Sequence, residues 1–297
     1  MHLTAFCALA YAGDMVKAFV LHPEIFGRIP VLGAQQRTSL EQRCEELAQS
    51  VGDAHDPNVT VLIRTHNDAE DLSGLFEDLK AQVFNGCVEV VVVDTESTDA
   101  TLAIAKRNGA KIVHLKRKDF DYPTSLNVGF EAATYPFVFT LVGHSRLASR
   151  LMLRAATRWS SVEQFGGAFG RCLPNANATG AERLTCAFWR GLQHPAFQIS
   201  RVRMGTMGAN CSLVSRAAWR ALGGYDKAFG AGGEDAELAR RMLEAGFKIF
   251  NEPVVSVYHS HGLGMTALLK QLLYWFQLDR PRRFDVTSLQ SYRKDLE

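Results

Sequence analysis

The most regular pattern lies between residues 59 and 142, where short runs rich in Val and Ile alternate with stretches that repeat apolar residues every three or four positions. Residues 59–64 read as a strand, and the near-continuous apolar run 88–93 reads as a strand buried on both faces. Between them Leu72, Leu75, Phe76 and Leu79 mark one face of a helix. The same reading gives helices over 99–108 and 126–133 and strands over 111–115 and 137–142. Strand and helix in this alternation predict a mainly parallel sheet with covering helices, whose ligands bind outside the carboxyl ends of the strands.

The flanks follow other patterns. In residues 1–57 periodicity is broken by His22-Pro23, Pro30 and Gly33 before one helix opens with the capping box Thr38/Glu41 and buries Leu40, Cys44, Leu47 and Val51. The polar stretch 52–57 ends in Pro57 and reads as a linker, which makes 1–57 an N-terminal helical extension. The main domain then covers 58–262, with a first half at 58–147 and a second at 148–262. In the third part, 263–297, Met265, Leu268, Leu272 and Phe276 form an apolar helical face, and Arg280, Arg282 and Arg283 follow it. Such a helix closes the core, or its 265–283 segment serves a peripheral membrane contact or a homodimer.

Charge excludes some partners. Lys+Arg 33 against Asp+Glu 31 leaves a formal net charge of +2, which argues against nucleic-acid binding by a polycation. The six cysteines are widely spaced with no C-x-x-C, which speaks against a zinc knuckle or a disulfide scaffold and for a reducing, cytoplasmic setting. The apolar stretch 3–10 lacks the basic residue of a secretory signal, and no run reaches the 18 or more apolar residues of a membrane span.

Neither G-x-G-x-x-G nor G-x-x-x-x-G-K-[ST] occurs, so a dinucleotide fingerprint and a P-loop are both missing. The strand ends are polar instead: Thr65-His66-Asn67-Asp68, Asp94-Thr95-Glu96-Ser97-Thr98-Asp99 and Gly143-His144-Ser145-Arg146. Taken in order, VTVLIRTHND, VEVVVVDTESTDATLAIAKRNGAKIV and FDYPTSLNVGFEAATYPFVFTLVG resemble the nucleotide-binding half of glycosyltransferase family 2. Gly205 to Asn210, CSLVSRAAWRALGGYDKAF, GGEDAELARRMLEAGFKI and VVSVYHSHG resemble its acceptor half in the same order, so the resemblance covers residues 58–262.

That resemblance implies an α/β GT-A fold, Rossmann-like, with helical N- and C-terminal extensions. It implies inverting transfer of a sugar from a nucleotide-sugar donor, here a UDP- or dTDP-sugar, to an acceptor hydroxyl or other nucleophile. The acceptor, whether glycan, lipid-linked, peptide or small metabolite, is left open. By motif match Asp94 and Ser97 grip the nucleotide, Thr65, Asn67 and Asn127 lie near it, and Asp235 is the general base. Asp99 suits a helix cap, which leaves Asp94 free at its strand end. Glu234, about 100° round the helix from its neighbour, orients the acceptor or pairs with a cation. Arg171, after a strand, faces the sugar or acceptor, and Arg64 either touches phosphate or pairs with a carboxylate.

One departure from the family bears on the cofactor. Most members carry Asp-x-Asp after the 137–142 strand, its final Asp holding Mg²⁺ or Mn²⁺ on the diphosphate, whereas this chain reads Val142-Gly143-His144. Imidazole suits Mn²⁺ better than the oxygen-preferring Mg²⁺. His259 and His261, at i and i+2 of an extended segment, point the same way, so with His144 they form a metal-binding or a cationic cluster. The rivals are thus a metal-dependent transferase, a metal-independent one that relies on histidines, and a catalytically silent nucleotide-sugar-binding subunit.

Overall fold

The computed structural model describes residues 55–183, 196–202 and 205–275. The helix expected after Thr38 and the basic cluster from Arg280 onward lie outside them. The first half is β1 (Val59–Thr65), α1 (Ala69–Lys80), β2 (Val88–Asp94), α2 (Thr101–Arg107), β3 (Lys111–His114), α3 (Tyr122–Ala132) and β4 (Phe137–Val142). These match the periodicity within a few residues at each end. The second half adds β5 (Arg146–Leu147), α4 (Met152–Thr157), β6 (Phe165–Leu173), β7 (Phe197–Gln198), β8 (Ser212–Ser215), α5 (Arg216–Ala221), α6 (Glu234–Glu244), β9 (Lys248–Tyr258) and α7 (Met265–Trp275).

Among the described residues, nine strands form one mixed sheet, ordered β3-β2-β1-β4-β8-β6-β9-β5 with β7 on β9. Strands β3, β2, β1 and β4 are parallel, and β8 joins β4 antiparallel, so the two halves share a sheet. Alternation along β1 sends Val59, Val61 and Ile63 to the face covered by α1, α2 and α4, and Leu62 to the face covered by α3, α5 and α6. On that second face α3 lies directly on β1: a Cβ on Gly129 would stand 2.3 Å from Leu62 Cδ1. Only a glycine permits that approach.

The expected linker is part of the domain at its end. Asp56 is only 6% exposed. Its carboxylate accepts from Arg154 Nε and Nη2 at 3.0 and 2.9 Å and from the Asn85 backbone N–H at 3.0 Å. A polar residue in a turn-like stretch reads as solvated, and a partner 98 positions away reverses that. Of the apolar face expected in α7, Leu268 is buried with Leu263 but Met265 is exposed, and Leu269, outside that face, is exposed as well. No described helix is long and apolar enough to cross a membrane.

A buried ion pair ties α4 to β9. Glu252 accepts from Arg158 Nη2 at 2.8 Å, from Trp159 Nε1 at 3.1 Å and from the Val254 backbone at 3.2 Å. Trp159 stacks on Phe250 at 4.3 Å, and the Arg158 guanidinium lies over the Trp159 ring, also at 4.3 Å. Removing one partner of such a pair strands the other charge in the interior. Glu252→Gln is therefore expected to cost about 3–5 kcal/mol of unfolding free energy, measured by urea denaturation.

Candidate active site

Strand β1 is flanked by β2 on one side and β4 on the other, with Thr65 level with Asp94 and Arg64 level with Val142. From β1 the chain crosses to β2 on one side, and from β3 it crosses back to β4 on the other, the change of direction that opens a ligand crevice at the carboxyl ends of such strands. Loop 65–69 and loop 94–101 close against each other. Asn67 adopts φ 56° and Glu96 φ 52°, and the Asn67 N–H donates to Ser97 Oγ at 2.9 Å while its side-chain oxygen accepts from Thr98 N at 2.8 Å.

Asp94 is not free. It is fully buried and accepts from Thr65 Oγ1 at 3.1 Å, from Ser97 N at 3.0 Å and from Ser97 Oγ. The strand register puts Thr65 against it, so its carboxylate braces the two loops. Asp99 does cap, and it caps twice: its oxygens accept from Thr101 N at 2.9 Å and Ala69 N at 3.1 Å, at the starts of α2 and α1. Slight burial opposes its ionisation, but these hydrogen bonds outweigh that and hold its carboxyl below the usual range.

Beside β4, the His144 Nδ1–H donates to Asp68 Oδ1 at 2.9 Å, and His144 Nε2 lies 3.0 Å from His259 Nε2. The His261 ring is 4.5 Å from His259 and 5.4 Å from His144, centroid to centroid. One ring nitrogen from each of the three falls within 4.8 Å of the others. His259 follows β9 directly and is held by its N–H to Leu173 O at 2.9 Å, and the His261 N–H donates to Glu182 at 2.8 Å. Burial first, then the neighbouring His261, His144 and Arg64, push the His259 ring well below its ordinary pKa, so the ring is neutral.

The acidic pair opens α6. Gly232 and Gly233 have φ 120° and 87°, a left-handed entry that L side chains rarely take, and it turns Glu234-Asp235 into the interior. Glu234 is 4% exposed, whereas Asp235 is partly exposed. Burial, with repulsion from Asp235 and against the attraction of Arg64, pushes Glu234 up to about 8. Burial also raises Asp235, opposed by N–H groups of Ala236 and Ala209 and by Arg64. The Ala236 N–H reaches Asp235 Oδ1 at 2.7 Å.

Arg64, at the end of β1, connects the two groups. Its charge lowers the proton affinity of Glu234, of Asp235 and of His259. Its guanidinium lies 5.5 Å from the Tyr122 ring centre, and its buried Nε has no hydrogen-bond partner among the described residues.

Two other expected residues are placed differently. Asn127 is bound into the protein: its Nδ2 donates to Tyr225 O at 2.8 Å, and its Oδ1 accepts from Trp219 Nε1 at 3.1 Å and Tyr225 N at 2.9 Å. It brackets α3 to the loop after α5, and its capacity for a nucleotide is reduced to one N–H. Arg171 lies inside β6 opposite Ser256 of β9, not beyond the strand.

Sequence reading passed over three contributors. Asp68 holds His144, Glu182 holds the main chain of His261, and His66 joins two loops. His66 Nδ1 donates to Thr95 O at 2.6 Å, so its Nε2 accepts from Arg117 Nη1 at 2.6 Å. No spacing rule could pair residues 68 and 144. The signal that existed was Asp68's place in a polar strand end next to the strand that carries His144.

Residues 60–156 match the family model described as Glycosyl transferase family 2. No curated protein sequence matches the chain. Solved structures similar to it include mannosyltransferase PcManGT from Pyrobaculum calidifontis in complex with GDP-Man and Mn²⁺, with TM-score 0.51 and 18% identity over 82% of this chain and 67% of that one. S. aureus TarS is similar with TM-score 0.54 and 15% identity over 80% of this chain and 42% of its own. GalNAc-T7 with UDP, GalNAc and Mn²⁺ gives TM-score 0.54 and 16% identity over 82% and 55%. The chain thus spans about half the length of the last two. At these identities the likeness shows the fold, the GT-A arrangement of a mixed sheet with flanking helices.

The raised Glu234 has a consequence for stability. A carboxyl whose folded pKa lies above its ordinary 4.5 stabilises the fold fully below that pH and loses the contribution as pH rises toward about 8. The melting temperature is expected to fall between pH 5 and 8, and Glu234→Gln should flatten that fall in a calorimetric pH series.

Proposed function

We propose that this chain, whose residues 60–156 match the glycosyltransferase family 2 model, is an inverting glycosyltransferase that moves a sugar from a UDP- or dTDP-sugar to an acceptor nucleophile. The observation that carries this reading is that the charge of Arg64 acts on both the acidic pair Glu234-Asp235 and His259 of the imidazole cluster. Such transfer needs a base for the acceptor and positive charge for the departing diphosphate. Both lie around one guanidinium at the ligand-binding edge of the sheet.

Asp235 is the base: it is partly exposed, ordered by backbone N–H groups, and raised toward the range in which a carboxylate takes a proton effectively. Glu234, more deeply buried beside it, holds its proton to about pH 8 and keeps a second negative charge from the site. The nucleotide lies along loops 65–68 and 94–98, whose geometry Asp94 maintains from beneath. Direct contacts fall to the exposed Asn67 and Thr98 and to the half-buried Ser97. Arg171 is assigned to the acceptor side.

The histidines fit a divalent ion. The His144 and His259 nitrogens are 3.0 Å apart, and one ring nitrogen of each of the three histidines lies within 4.8 Å of the others. His144, His259 and His261 would hold it, and their nitrogen donors suit Mn²⁺ better than Mg²⁺. When bound, such an ion supplies positive charge to the diphosphate as the sugar leaves. The cluster and Arg64 also support a metal-independent version, in which cationic side chains take that role. The wide spacing of the six cysteines, with no C-x-x-C, supports a reducing, cytoplasmic setting. The exposed Met265 and Leu269 support a peripheral membrane or homodimer contact through 265–283.

Calorimetric titration with UDP-, dTDP- and GDP-sugars, with Mn²⁺ and again with EDTA, tests the donor. The expected result is binding of a UDP- or dTDP-sugar that weakens in EDTA. Survival of full affinity in EDTA selects the metal-independent version, and no binding to any donor overturns the reading. Asp235→Asn is expected to slow release of nucleoside diphosphate by about 10²–10⁴-fold while donor affinity stays unchanged. A silent binding subunit would show no release to lose. The rate of the native chain should fall at acid pH with an apparent pKa above that of an ordinary aspartate.

A further inference from the structure

We infer that Asp68 is the positioning residue of the imidazole cluster: its carboxylate holds His144 as the Nδ1–H tautomer and turns the Nε2 lone pair toward His259 and His261. This rests on the reading of the cluster as the site that faces the diphosphate or its cation. Asp68 stands at the N-cap of α1, where an Asp side chain ordinarily accepts from the first turn of its own helix. Here it makes no such bond. The capping is done by Asp99 on Ala69 N, and the Asp68 carboxylate is directed elsewhere. Oδ2 accepts from the His66 N–H at 3.0 Å, and Oδ1 accepts from His144 Nδ1 at 2.9 Å.

The aim of this carboxylate is fixed from both directions. Its own N–H donates to the buried Thr101 Oγ1 at 2.9 Å, and its carbonyl accepts from Asp71 and Leu72 in the first turn of α1. From the other side, a Cβ on residue 143 would stand 2.4 Å from Asp68 Oδ2. Gly143 lets the carboxylate lie against the backbone just before His144, which accounts for the glycine inside Val142-Gly143-His144. The carboxylate side chain is 12% exposed and the imidazole 30%, so the pair is partly shielded from water.

The chemistry follows from the inventory of donors. A carboxylate only accepts, so the proton of the 2.9 Å contact sits on His144 Nδ1. In a neutral ring this leaves Nε2 as the lone pair, and that atom is the one 3.0 Å from His259 Nε2. Without Asp68 the ring could protonate at Nε2 and close the cluster with a donor where an acceptor is needed. A carboxylate behind a metal-ligating histidine sets its tautomer and raises its basicity, and losing such a partner costs 10- to 100-fold in metal affinity.

Long-range ¹H–¹⁵N spectra of the histidine rings test this in the metal-free full chain, with His144 assigned by its loss in His144→Gln. The native His144 is expected as the Nδ1–H tautomer, Asp68→Asn keeps it through its side-chain oxygen, and Asp68→Ala moves the proton toward Nε2. Mn²⁺ binding, followed by water-proton relaxation, is expected to weaken about 10- to 100-fold in Asp68→Ala and less in Asp68→Asn. A native His144 protonated at Nε2, or an Asp68→Ala chain with unchanged His144 shifts, overturns the inference. The native spectrum decides even where Asp68→Ala fails to fold. Absence of Mn²⁺ binding by the native chain, with the Asp68-dependent tautomer intact, overturns the metal reading and leaves the positioning role supported.

Discussion

The site depends on one constraint of sheet topology: β1 has parallel neighbours on both sides, β2 and β4, and the chain departs from all three at the same edge. Because the strands are in register there, residues 29 positions apart become adjacent, and Thr65 meets Asp94. The helices after β1 and β2 lie on the same face, so their N-terminal loops interlock through Asn67, Ser97 and Asp99. The loop after β4 approaches from the other side, and Asp68 and His144 close that side of the crevice. No single loop makes this cradle; three strand ends held at a common level do.

Electrostatic balance is the second organising feature. Glu234 and Asp235 enter the interior because two left-handed glycines aim the start of α6 inward, and burial raises both carboxyls. In a low-dielectric setting two adjacent negative charges are costly, and Arg64 offsets part of that cost without closing on either carboxylate as a hydrogen-bonded partner of its Nε. The same guanidinium disfavours a proton on His259. One residue thereby favours the charged form of the acidic pair and the neutral form of the imidazole next to it.

Much of the framework was legible because it rests on local periodicity. The elements of residues 59–142 follow from alternation at two and at 3.6 residues, which neighbours along the chain impose on one another. The polar strand ends, the acidic pair after two glycines and the spacing of His259 and His261 were likewise visible as residue types in order. What stayed illegible was the use each side chain finds. Asp94 looked free but is engaged on both oxygens, Asn127 looked available but brackets Trp219 and Tyr225, and Asp56 looked like linker but pairs with Arg154. In each case the deciding partner is distant in sequence, and only strand register or helix packing brings it within hydrogen-bond reach.

The division is physical. By itself the amino-acid order determined the α/β alternation, the placement of polar residues at the carboxyl ends of strands, and a histidine at position 144 after the 137–142 strand. Tertiary structure alone decided that Asp68 reaches His144, that His144 meets His259 and His261, and that Arg64 lies in the field of Glu234 and Asp235. Periodicity is a property of neighbouring residues and survives in a linear string. Tautomer, proton affinity and ligand geometry depend on distances of about 3 Å between atoms, and only the closed sheet sets those.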